Sequence, residues 1–259
     1  MVLTVDIGNT NIVLSAYTKE KKLEFSSRFA TDALMTEDQC AMLFKSAAEI
    51  NEFDLKKING AIISSVVPPL LTACKQAIKR LTGINPLVVG PGIKTGLNIK
   101  IDDTSIAGAD LICAAVGALE KYKPPMIIFD LGTATTITAI DKSGAFIGGA
   151  ILPGIKISLD ALSSRTAQLP HINTELKSDI IIGTNTVDCM KSGIILGNAS
   201  MIDGMIKRYK TVLGEDATVI ATGGLAPCVV KHCESKVFID NDLVSEGSLA
   251  IFFKNNKNA

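Results

Sequence analysis

Residues 2–14, VLTVDIGNTNIVL, place an apolar run, a carboxylate, a glycine-containing turn and a second apolar run in immediate succession. The carboxylate is Asp6, and the turn passes through Gly8-Asn9-Thr10-Asn11. Two apolar runs joined by a short turn of this composition predict a pair of antiparallel strands. The first strand therefore ends in an acidic side chain at the entrance to the turn.

The same order of residue types returns in residues 126–140, MIIFDLGTATTITAI. Here the apolar run ends at Asp130, and Gly132 opens a turn that is rich in hydroxyl side chains. A third strand follows in each half, at Leu23–Phe29 and at 145–152. A repeat of this length is a repeat of whole domains rather than of a solenoid unit. We expect a duplicated domain with the active site between the two copies.

The composition limits the classes of partner. The chain has 259 residues, 47% of them hydrophobic, and its 26 basic and 26 acidic side chains give a net charge of +0. This balance, with three Tyr and no Trp, argues against nucleic acid as a partner. No apolar stretch approaches the roughly 20 residues that span a bilayer, and the N-terminus lacks the pattern of a signal peptide. We expect a cytoplasmic protein with no membrane partner.

The six cysteines are scattered along the chain, which favours free thiols in a reducing compartment. Cys228, His232 and Cys233 form a local cluster, but a zinc site needs a fourth ligand, and the other histidine, His171, is remote in sequence. We therefore expect no metal centre at this cluster.

Outside the repeated strands, helical and strand patterns alternate, an α/β layout that predicts two domains, residues 1–118 and 119–259. Thr36-Glu37-Asp38-Gln39 supplies the start of the first helix, and Pro68-Pro69 supplies the start of the second. In the long helix that we predict to end near Tyr209, Gly193 and Gly197 allow another helix to approach closely, inside the core or from a second subunit. We predict helices over 36–50, 68–82, 111–122, 158–167 and 187–209.

An aspartate at the end of a strand beside a glycine turn can hold a hydrated divalent cation while the turn binds phosphate oxygens. This arrangement suits phosphoryl transfer, where catalysis depends on positioning and on charge neutralisation. A single Asp-x-Gly is most simply an ordinary turn, whereas its repetition after a matching strand favours a site. The sequence has no Gly-x-x-x-x-Gly-Lys loop, no Gly-x-Gly-x-x-Gly after a strand and too few histidines to suggest a hydrolytic triad. Among enzymes that act on phosphate groups, the class that remains is an actin-like kinase or phosphohydrolase.

Asp110 begins a further helical stretch after Gly108-Ala109. Taken alone, a carboxylate in the first turn of a helix needs no explanation beyond the helix dipole.

The motifs DIGNTNIV, DLGTATTI and ATGGLA together resemble the two phosphate motifs and the adenosine motif of type III pantothenate kinases. This family belongs to the acetate kinase, sugar kinase, Hsp70 and actin superfamily. The resemblance continues through GGAILPG, SLDALSSRTAQLP, GTNT and VSEGSLAIF, and so covers nearly the whole chain. It implies duplicated ribonuclease H-like, actin-like ATPase domains, each a mixed sheet with flanking helices, and a nucleotide cleft between them.

The resemblance also implies an activity, the ATP-dependent phosphorylation of pantothenate to 4'-phosphopantothenate, which is the first step of coenzyme A biosynthesis. Asp6 would hold the magnesium of MgATP, and Asp130 would hold a monovalent cation, potassium or ammonium. Asp110, in Gly108-Ala109-Asp110, would accept the proton of the pantothenate hydroxyl. The enzyme would be a homodimer with its sites at the interface.

The remaining contacts that the resemblance implies fall into three groups. The phosphate-binding positions are Gly8, Asn9, Thr10, Asn11, Gly132, Thr133 and Thr135. The adenosine pocket is lined by Thr222, Gly223 and Gly224. The pantothenate side comprises Gly108, Ala109, Asp110, Leu111 and Thr186, the last acting across the dimer interface.

One departure from the family pattern bears on the substrate. Leu111 stands where the family usually has an arginine that helps to hold the substrate carboxylate, and the loop 102–106 lacks the usual Asn-Pro. A buried carboxylate without a cationic partner needs other hydrogen bonds. We expect amides at the N-terminus of the helix that contains Leu111 to supply them.

Two alternatives stay open at this point. Leu111 favours an actin-like phosphatase or a kinase for another small hydroxy acid. A non-catalytic regulator on the same fold is the other alternative, and the intact Asp6, Asp110 and Asp130 argue against it.

Overall fold

The computed structural model describes residues 1–103, 107–172 and 179–256, which divide into two compact units. The first unit comprises Met1–Leu97, Asp102–Lys121 and Asp242–Ala259, and the second comprises Asn98–Ile101 and Tyr122–Asn241. The predicted division at 118/119 lies three residues before the structural one and differs from it in the C-terminal segment, whose helix packs in the first unit. Thr104, Ser105 and Ile106 of the predicted loop lie outside the described residues.

The first unit contains five strands and four α-helices among its described residues. The strands form one mixed sheet in the order β3-β2-β1-β4-β5, in which β1 is antiparallel to β2 and parallel to β4. These elements are β1 (Val2–Ile7), β2 (Asn11–Tyr17), β3 (Leu23–Ala30), α1 (Glu37–Ile50), β4 (Gly60–Ser65), α2 (Pro68–Thr82), β5 (Leu87–Val88), α3 (Ala109–Lys121) and α7 (Leu243–Asn255).

The second unit contains the other described strands and helices. Its sheet has the order β10-β9-β6-β7-β8, with β6 antiparallel to β7 and parallel to β9. These elements are β6 (Met126–Leu131), β7 (Ala134–Ile140), β8 (Phe146–Pro153), α4 (Ile155–Arg165), α5 (Thr186–Leu213), β9 (Thr218–Thr222), α6 (Ala226–Val230) and β10 (Phe238–Ile239).

The two sheets are copies of one design, as the sequence repeat predicts. The strands β1 and β6 share one pattern of buried and half-buried positions, and β2 and β7 share another. The pairing register also shifts at the same place in each copy, after Ala16 in β2 and after Ala139 in β7. The predicted duplication of the domain is confirmed.

Alternation along β1 decides which way Asp6 faces. Leu3, Val5 and Ile7 belong to the buried core that α1 and α2 complete. Because successive side chains of a strand point to opposite faces, Asp6 lies on the other face, where α3 and α7 pack against β1 and β4. The same argument applies to Asp130, since Phe129 and Leu131 belong to the core formed with α4, α5 and α6.

The predicted helix starts are confirmed in α1 and α2. Thr36 Oγ1 accepts from the Gln39 amide and Gln39 Oε1 accepts from the Thr36 amide, which completes a capping box. The helix α2 begins at Pro68 and stops before Gly83, whose φ of 76° is left-handed. The helix α4 begins at Ile155, three residues before the predicted start. No helix of the described ranges has the length and hydropathy that crossing a membrane requires.

Candidate active site

The turn after Asp6 is held in place by backbone hydrogen bonds. The Gly8 amide donates to the Asn11 carbonyl at 2.9 Å. From the end of β3, Thr31 Oγ1 donates to the Gly8 carbonyl at 2.7 Å, and the Thr31 amide donates to the Thr10 carbonyl at 2.9 Å. Asn9 and Thr10 remain exposed at the tip, so a fixed backbone presents two polar side chains to a ligand.

The turn after Asp130 is one residue shorter than its counterpart. Three residues separate the paired Leu131 and Thr135, whereas four separate the paired Ile7 and Ile12. The Gly132 amide donates to the Ala134 carbonyl at 3.1 Å, which closes this tighter turn, and Thr133 is exposed at its tip.

The hydroxyls of β7 divide between the two faces of the second sheet. Thr135 is fully buried and shares a face with Ile137 and Ala139, which belong to the core. Thr136 is the antiparallel partner of Asp130 and lies on its face. Because side chains alternate along β7, the hydroxyl beside Asp130 is that of Thr136. The resemblance to the family names Thr133 and Thr135 as phosphate-binding positions and does not name Thr136.

Gly223 brings the end of β9 against Asp130. Its φ is 95°, and an added Cβ would lie 2.7 Å from both Asp130 Oδ1 and the Leu131 carbonyl oxygen. Only glycine fits such a position without displacing these atoms. Thr222 is buried and is the parallel partner of Asp130. Thr222 and Gly223 of the predicted adenosine motif therefore lie beside Asp130, the predicted ligand of the monovalent cation, within the second unit.

Asp110 lies in the first turn of α3 with its carboxylate turned back on the backbone. Oδ1 accepts a hydrogen bond of 2.8 Å from the Leu111 amide. An added Cβ at Gly108 would overlap the same oxygen, which explains why the residue two before Asp110 is glycine. Burial raises the pKa of the Asp110 carboxyl, and the hydrogen bonds from backbone amides oppose that rise. Asp110 is therefore a stronger base than an exposed aspartate.

Cys113 links Asp110 to Asp6. It follows Asp110 by one helical turn and is fully buried. Burial raises the pKa of the Cys113 thiol to about 12, and the negative charges of Asp6 and Asp110 act in the same direction. From α7, Ser248 Oγ donates to Cys113 Sγ at 3.3 Å. Cys113 is thus a buried thiol within electrostatic range of both Asp6 and Asp110, and no motif in the sequence points to it.

Two amides in the first turn of α3 have acceptors within the protein. The Leu111 amide donates to Asp110, and the Ile112 amide donates to the Gly108 carbonyl at 3.1 Å. The expectation that amides of this helix start hold the substrate carboxylate stays a prediction for the other amides of the turn. The Leu111 side chain is half-buried.

Thr186 is exposed in the second unit, as the first residue of α5. The cap of this helix is Asn185, whose Oδ1 accepts from the Asp188 amide at 3.0 Å. Thr186 is therefore presented at a well-defined helix start. Across the described residues, no group of three or more His, Cys, Asp or Glu side chains is arranged to hold a metal ion, Cys228 and its neighbours included.

Comparisons of sequence agree with these motifs. A family model described as type III pantothenate kinase matches residues 2–208. The type III pantothenate kinase of Halalkalibacterium halodurans is 43% identical over 255 residues, which cover 98% of this chain and 100% of the relative. That of Exiguobacterium sp. is 42% identical over 257 residues, which cover 99% and 100%.

Comparisons of structure agree with the fold. A Campylobacter jejuni protein assigned to the Baf family of transcriptional activators has a TM-score of 0.63 and 22% identity, with 99% of this chain and 100% of that chain covered. The Clostridium difficile activator of 2-hydroxyisocaproyl-CoA dehydratase, with bound ADPNP, has a TM-score of 0.59 and 12% identity, with 99% and 95% covered. The two sheets with flanking helices are the duplicated ribonuclease H-like domains of the actin-like ATPase and sugar kinase fold.

Proposed function

The chain belongs to the type III pantothenate kinase family, and we propose that Asp110 is the base that receives the proton of the pantothenate hydroxyl. The enzyme phosphorylates pantothenate with ATP, the first step of coenzyme A biosynthesis. The observation that carries the role of Asp110 is its buried carboxylate, held by the Leu111 amide in a space that Gly108 leaves open.

The chemistry of phosphoryl transfer suits a base of this kind. The transition state is loose, so the attacking hydroxyl loses its proton late and needs a positioned acceptor more than a strong nucleophile. A carboxylate whose pKa is raised by burial accepts that proton more readily than an exposed one. Gly108, Ala109 and the half-buried Leu111 form the adjoining substrate wall in this proposal.

A divalent cation, Mg²⁺ with ATP, is proposed to bind at Asp6. Carboxylate oxygen is a ligand that magnesium prefers, and one or two carboxylates with several waters and the phosphates usually complete its shell. Asp6 fits this role because it lies near the end of β1, beside a turn whose tip is exposed. It also lies on the face of the sheet against which α3, the helix of Asp110, packs. The bound cation would neutralise charge on the transferred phosphoryl group. Gly8, Asn9, Thr10 and Asn11 are the proposed phosphate contacts of this turn.

A monovalent cation, K⁺ or NH₄⁺, is proposed to bind at Asp130. Gly223 leaves room for the Asp130 carboxylate and the Leu131 carbonyl oxygen, which both lie against its backbone, and such oxygen donors suit a hard cation. Gly132, Thr133 and Thr136 are the proposed phosphate contacts here. Thr222, Gly223 and Gly224 are proposed to approach the adenosine.

We also propose a homodimer in which Thr186 of one subunit contacts pantothenate bound to the other. The support is the run of exposed apolar side chains Ile180, Ile181 and Ile182 just before α5, with the exposed Val187 in its first turn. Large contiguous apolar patches are rare on monomeric proteins and mark interaction surfaces. A cytoplasmic location is proposed as well, because all six cysteines are free thiols.

ADP release from ATP, measured with and without pantothenate in K⁺, NH₄⁺ or Na⁺ buffers, tests this function. We expect release to depend on pantothenate and to be supported by K⁺ and NH₄⁺ but not by Na⁺. ADP release that is indifferent to pantothenate would instead favour a phosphatase or a kinase for another hydroxy acid. The absence of release under every condition would favour a non-catalytic regulator.

A further inference from the structure

Ser64 carries a buried hydroxyl next to Asp6. The residue is 0% exposed, and its Oγ has no hydrogen-bond partner among the described residues. The strands β1 and β4 are parallel, and Asp6 lies opposite Ser64 in their register. Partners in such a register carry their side chains on the same face of the sheet. Ser64 therefore faces α3 together with Asp6.

The Cys113 thiol gives independent support for this placement. It lies within the electrostatic reach of Asp6, and Ser64 Oγ approaches it without forming a hydrogen bond of ordinary geometry. The thiol instead accepts from Ser248 Oγ. Ser64 and Asp6 are thus neighbours in one buried polar cluster, in which the Ser64 hydroxyl is left unpaired.

An unpaired buried hydroxyl is costly, and most buried polar side chains in native proteins have a partner. Alanine at this position of β4 would leave no unpaired hydroxyl and would avoid that cost. A serine in this position is therefore explained more readily by a partner that arrives with a ligand than by the stability of the free protein.

We propose that Ser64 is a positioning residue for the divalent cation held by Asp6, and that its hydroxyl hydrogen-bonds to the hydration shell of that cation. Magnesium retains several waters in protein sites, and groups that bond to its ligands fix their orientation. The inference rests on the assignment of Asp6 to the cation, which is part of the proposed function.

The second unit has the same arrangement. Thr222 stands opposite Asp130 in the parallel pair of β6 and β9, as Ser64 stands opposite Asp6 in β1 and β4. Thr222 is 2% exposed. A buried hydroxyl residue therefore flanks the strand-end carboxylate in both copies of the domain, although the two copies differ elsewhere in their turns.

The test compares Ser64→Ala with Ser15→Ala, a matched change in the same sheet. Ser15 is also buried, but its Oγ is paired with Ser26 Oγ at 2.9 Å. Two quantities are measured for each variant: the melting temperature in EDTA, and the affinity for Mn²⁺ in the presence of ADP, followed by electron paramagnetic resonance. The Mg²⁺ dependence of pantothenate phosphorylation is the third.

For Ser64→Ala we expect a melting temperature in EDTA equal to or above that of wild type, and a loss of about tenfold in Mn²⁺ affinity, the size typical of lost outer-shell partners. The Mg²⁺ concentration for half-maximal rate rises in parallel. For Ser15→Ala we expect a lower melting temperature with unchanged metal dependence. Unchanged metal affinity in Ser64→Ala overturns the inference, as does a loss of stability or folding equal to that of Ser15→Ala.

Asp6→Asn separates this inference from the assignment beneath it. If Asp6→Asn leaves Mn²⁺ affinity unchanged, the cation does not bind at Asp6 and both ideas fail. If Asp6→Asn loses the affinity while Ser64→Ala keeps it, the role of Ser64 alone is refuted.

Discussion

Asp110 combines burial with negative charge, and its neighbours explain why the fold accepts it. The Leu111 amide donates to the carboxylate, and Gly108 leaves room for it. These contacts only partly replace water, because the pKa of the carboxyl is still raised. The ionised base therefore costs stability at neutral pH, as expected where a site is shaped by function.

Asp110→Asn should lower turnover while it raises stability. We expect the pantothenate-dependent rate to fall roughly 10²-fold or more, since a positioned general base contributes that much. A raised pKa in the folded state means that folding favours the protonated carboxyl. The stability that the protonated carboxyl contributes is therefore fully present below the pKa of Asp110 in the unfolded chain, and it is lost as pH rises through the pKa in the folded state. Asparagine is uncharged at every pH and does not lose this stability, so the variant should melt above wild type at pH 7.

Steady-state kinetics and melting curves between pH 4 and pH 8 check both parts. The difference in melting temperature should shrink as pH falls toward about 4, the ordinary range of an aspartate. Asp216→Asn, at an exposed position, serves as the control and should change neither quantity. A variant with nearly full turnover, or with a stability difference that is independent of pH, would count against Asp110 as a buried base.

Single residues also mark the limit of what sequence can predict about the site. Asp6 and Asp130 were identifiable because each ends a strand beside a repeated glycine turn, whereas Asp110 was identifiable only through the resemblance to the family, since a carboxylate at a helix start is ordinary. Thr136 needed the observed register, since the alternation of β7 decides which hydroxyl shares a face with Asp130. Ser64 and Cys113 lie in plain apolar runs, where nothing local distinguishes a buried polar group beside the site from ordinary core.

At the level of elements, α3 carries Asp110 and α7 supports α3. Gly117 and Gly247 bring the two helices into backbone contact, since an added Cβ at Gly247 would overlap the Cys113 carbonyl and one at Gly117 would overlap the Leu243 carbonyl. Tyr17 in β2 bonds Ser245 at 2.8 Å, and the Phe252 ring covers Gly60. The C-terminal helix therefore fixes α3 against the first sheet, and with it Asp110.

Gly247→Ala should disturb that support. The methyl group meets backbone atoms of α3, which cannot rotate away, so the helices must separate at a cost of roughly 1–3 kcal/mol of unfolding free energy. Because α3 carries Asp110, we expect turnover of the folded variant to fall by about 10²-fold, the effect of a misplacement near 1 Å. Urea denaturation and kinetics at low temperature measure the two effects separately.

Gly204→Ala is the control for this change. Gly204 lies within α5, where no described atom outside its own helix lies within 4 Å of an added Cβ. In an isolated chain, alanine there should stabilise the helix by up to about 1 kcal/mol, the usual difference in helix propensity. If Gly247→Ala behaves like this control, α7 has no part in positioning α3.

The helices that the sequence predicts differ in their surroundings from the helix α7, which it does not predict. The helices α1 and α2 have one apolar face, proline or capping residues at the start and polar residues outside, so their limits are readable from the chain. The helix α7 is buried on nearly every side and has almost no polar face, so its periodicity is weak. Its place in the first unit depends on contacts far apart in sequence, which no local pattern encodes.

On the scale of the whole molecule, duplication explains both what the two units share and where they differ. Sheet order, burial pattern and register shift are common to the copies, because they follow from the same strand–turn–strand core. The turns have diverged, with four residues between the paired ends in the first copy and three in the second. The difference between the two copies is therefore concentrated in the turns beside Asp6 and Asp130.

The proposed dimer accounts for a surface that a single chain leaves exposed. Ile181 and Ile182 are 78% and 81% exposed just before α5, and their segment is tied to that helix because Ser192 Oγ donates to the Ile181 carbonyl at 2.6 Å. Gly193 and Gly197 leave open space on α5, since no described atom outside the helix lies within 4 Å of an added Cβ at either. The core alternative for these glycines is therefore excluded among the described residues.

Ile182→Asp and Gly197→Ala should weaken the dimer for different reasons. The aspartate brings a charge into an apolar contact, and the alanine methyl group keeps a neighbouring helix from close approach. In an isolated chain, Gly197→Ala would instead be neutral or stabilising by up to about 1 kcal/mol. Light scattering after size exclusion should show wild type at twice the chain mass and both variants shifted toward the monomer. Leu34→Asp, a matched change at an 87% exposed leucine of the first unit, should remain dimeric.

Activity should follow assembly if Thr186 completes the partner's site. Dilution of Ile182→Asp below its dimerisation constant should then lower the pantothenate-dependent rate per subunit, while ADP binding, for which the proposed contacts all lie in one chain, should persist. Thr186→Ala should raise the KM for pantothenate and leave the mass unchanged, since the side chain is small and exposed. A wild-type protein that is monomeric and fully active at nanomolar concentration would refute the shared site, because each chain would then bind pantothenate with its own residues alone.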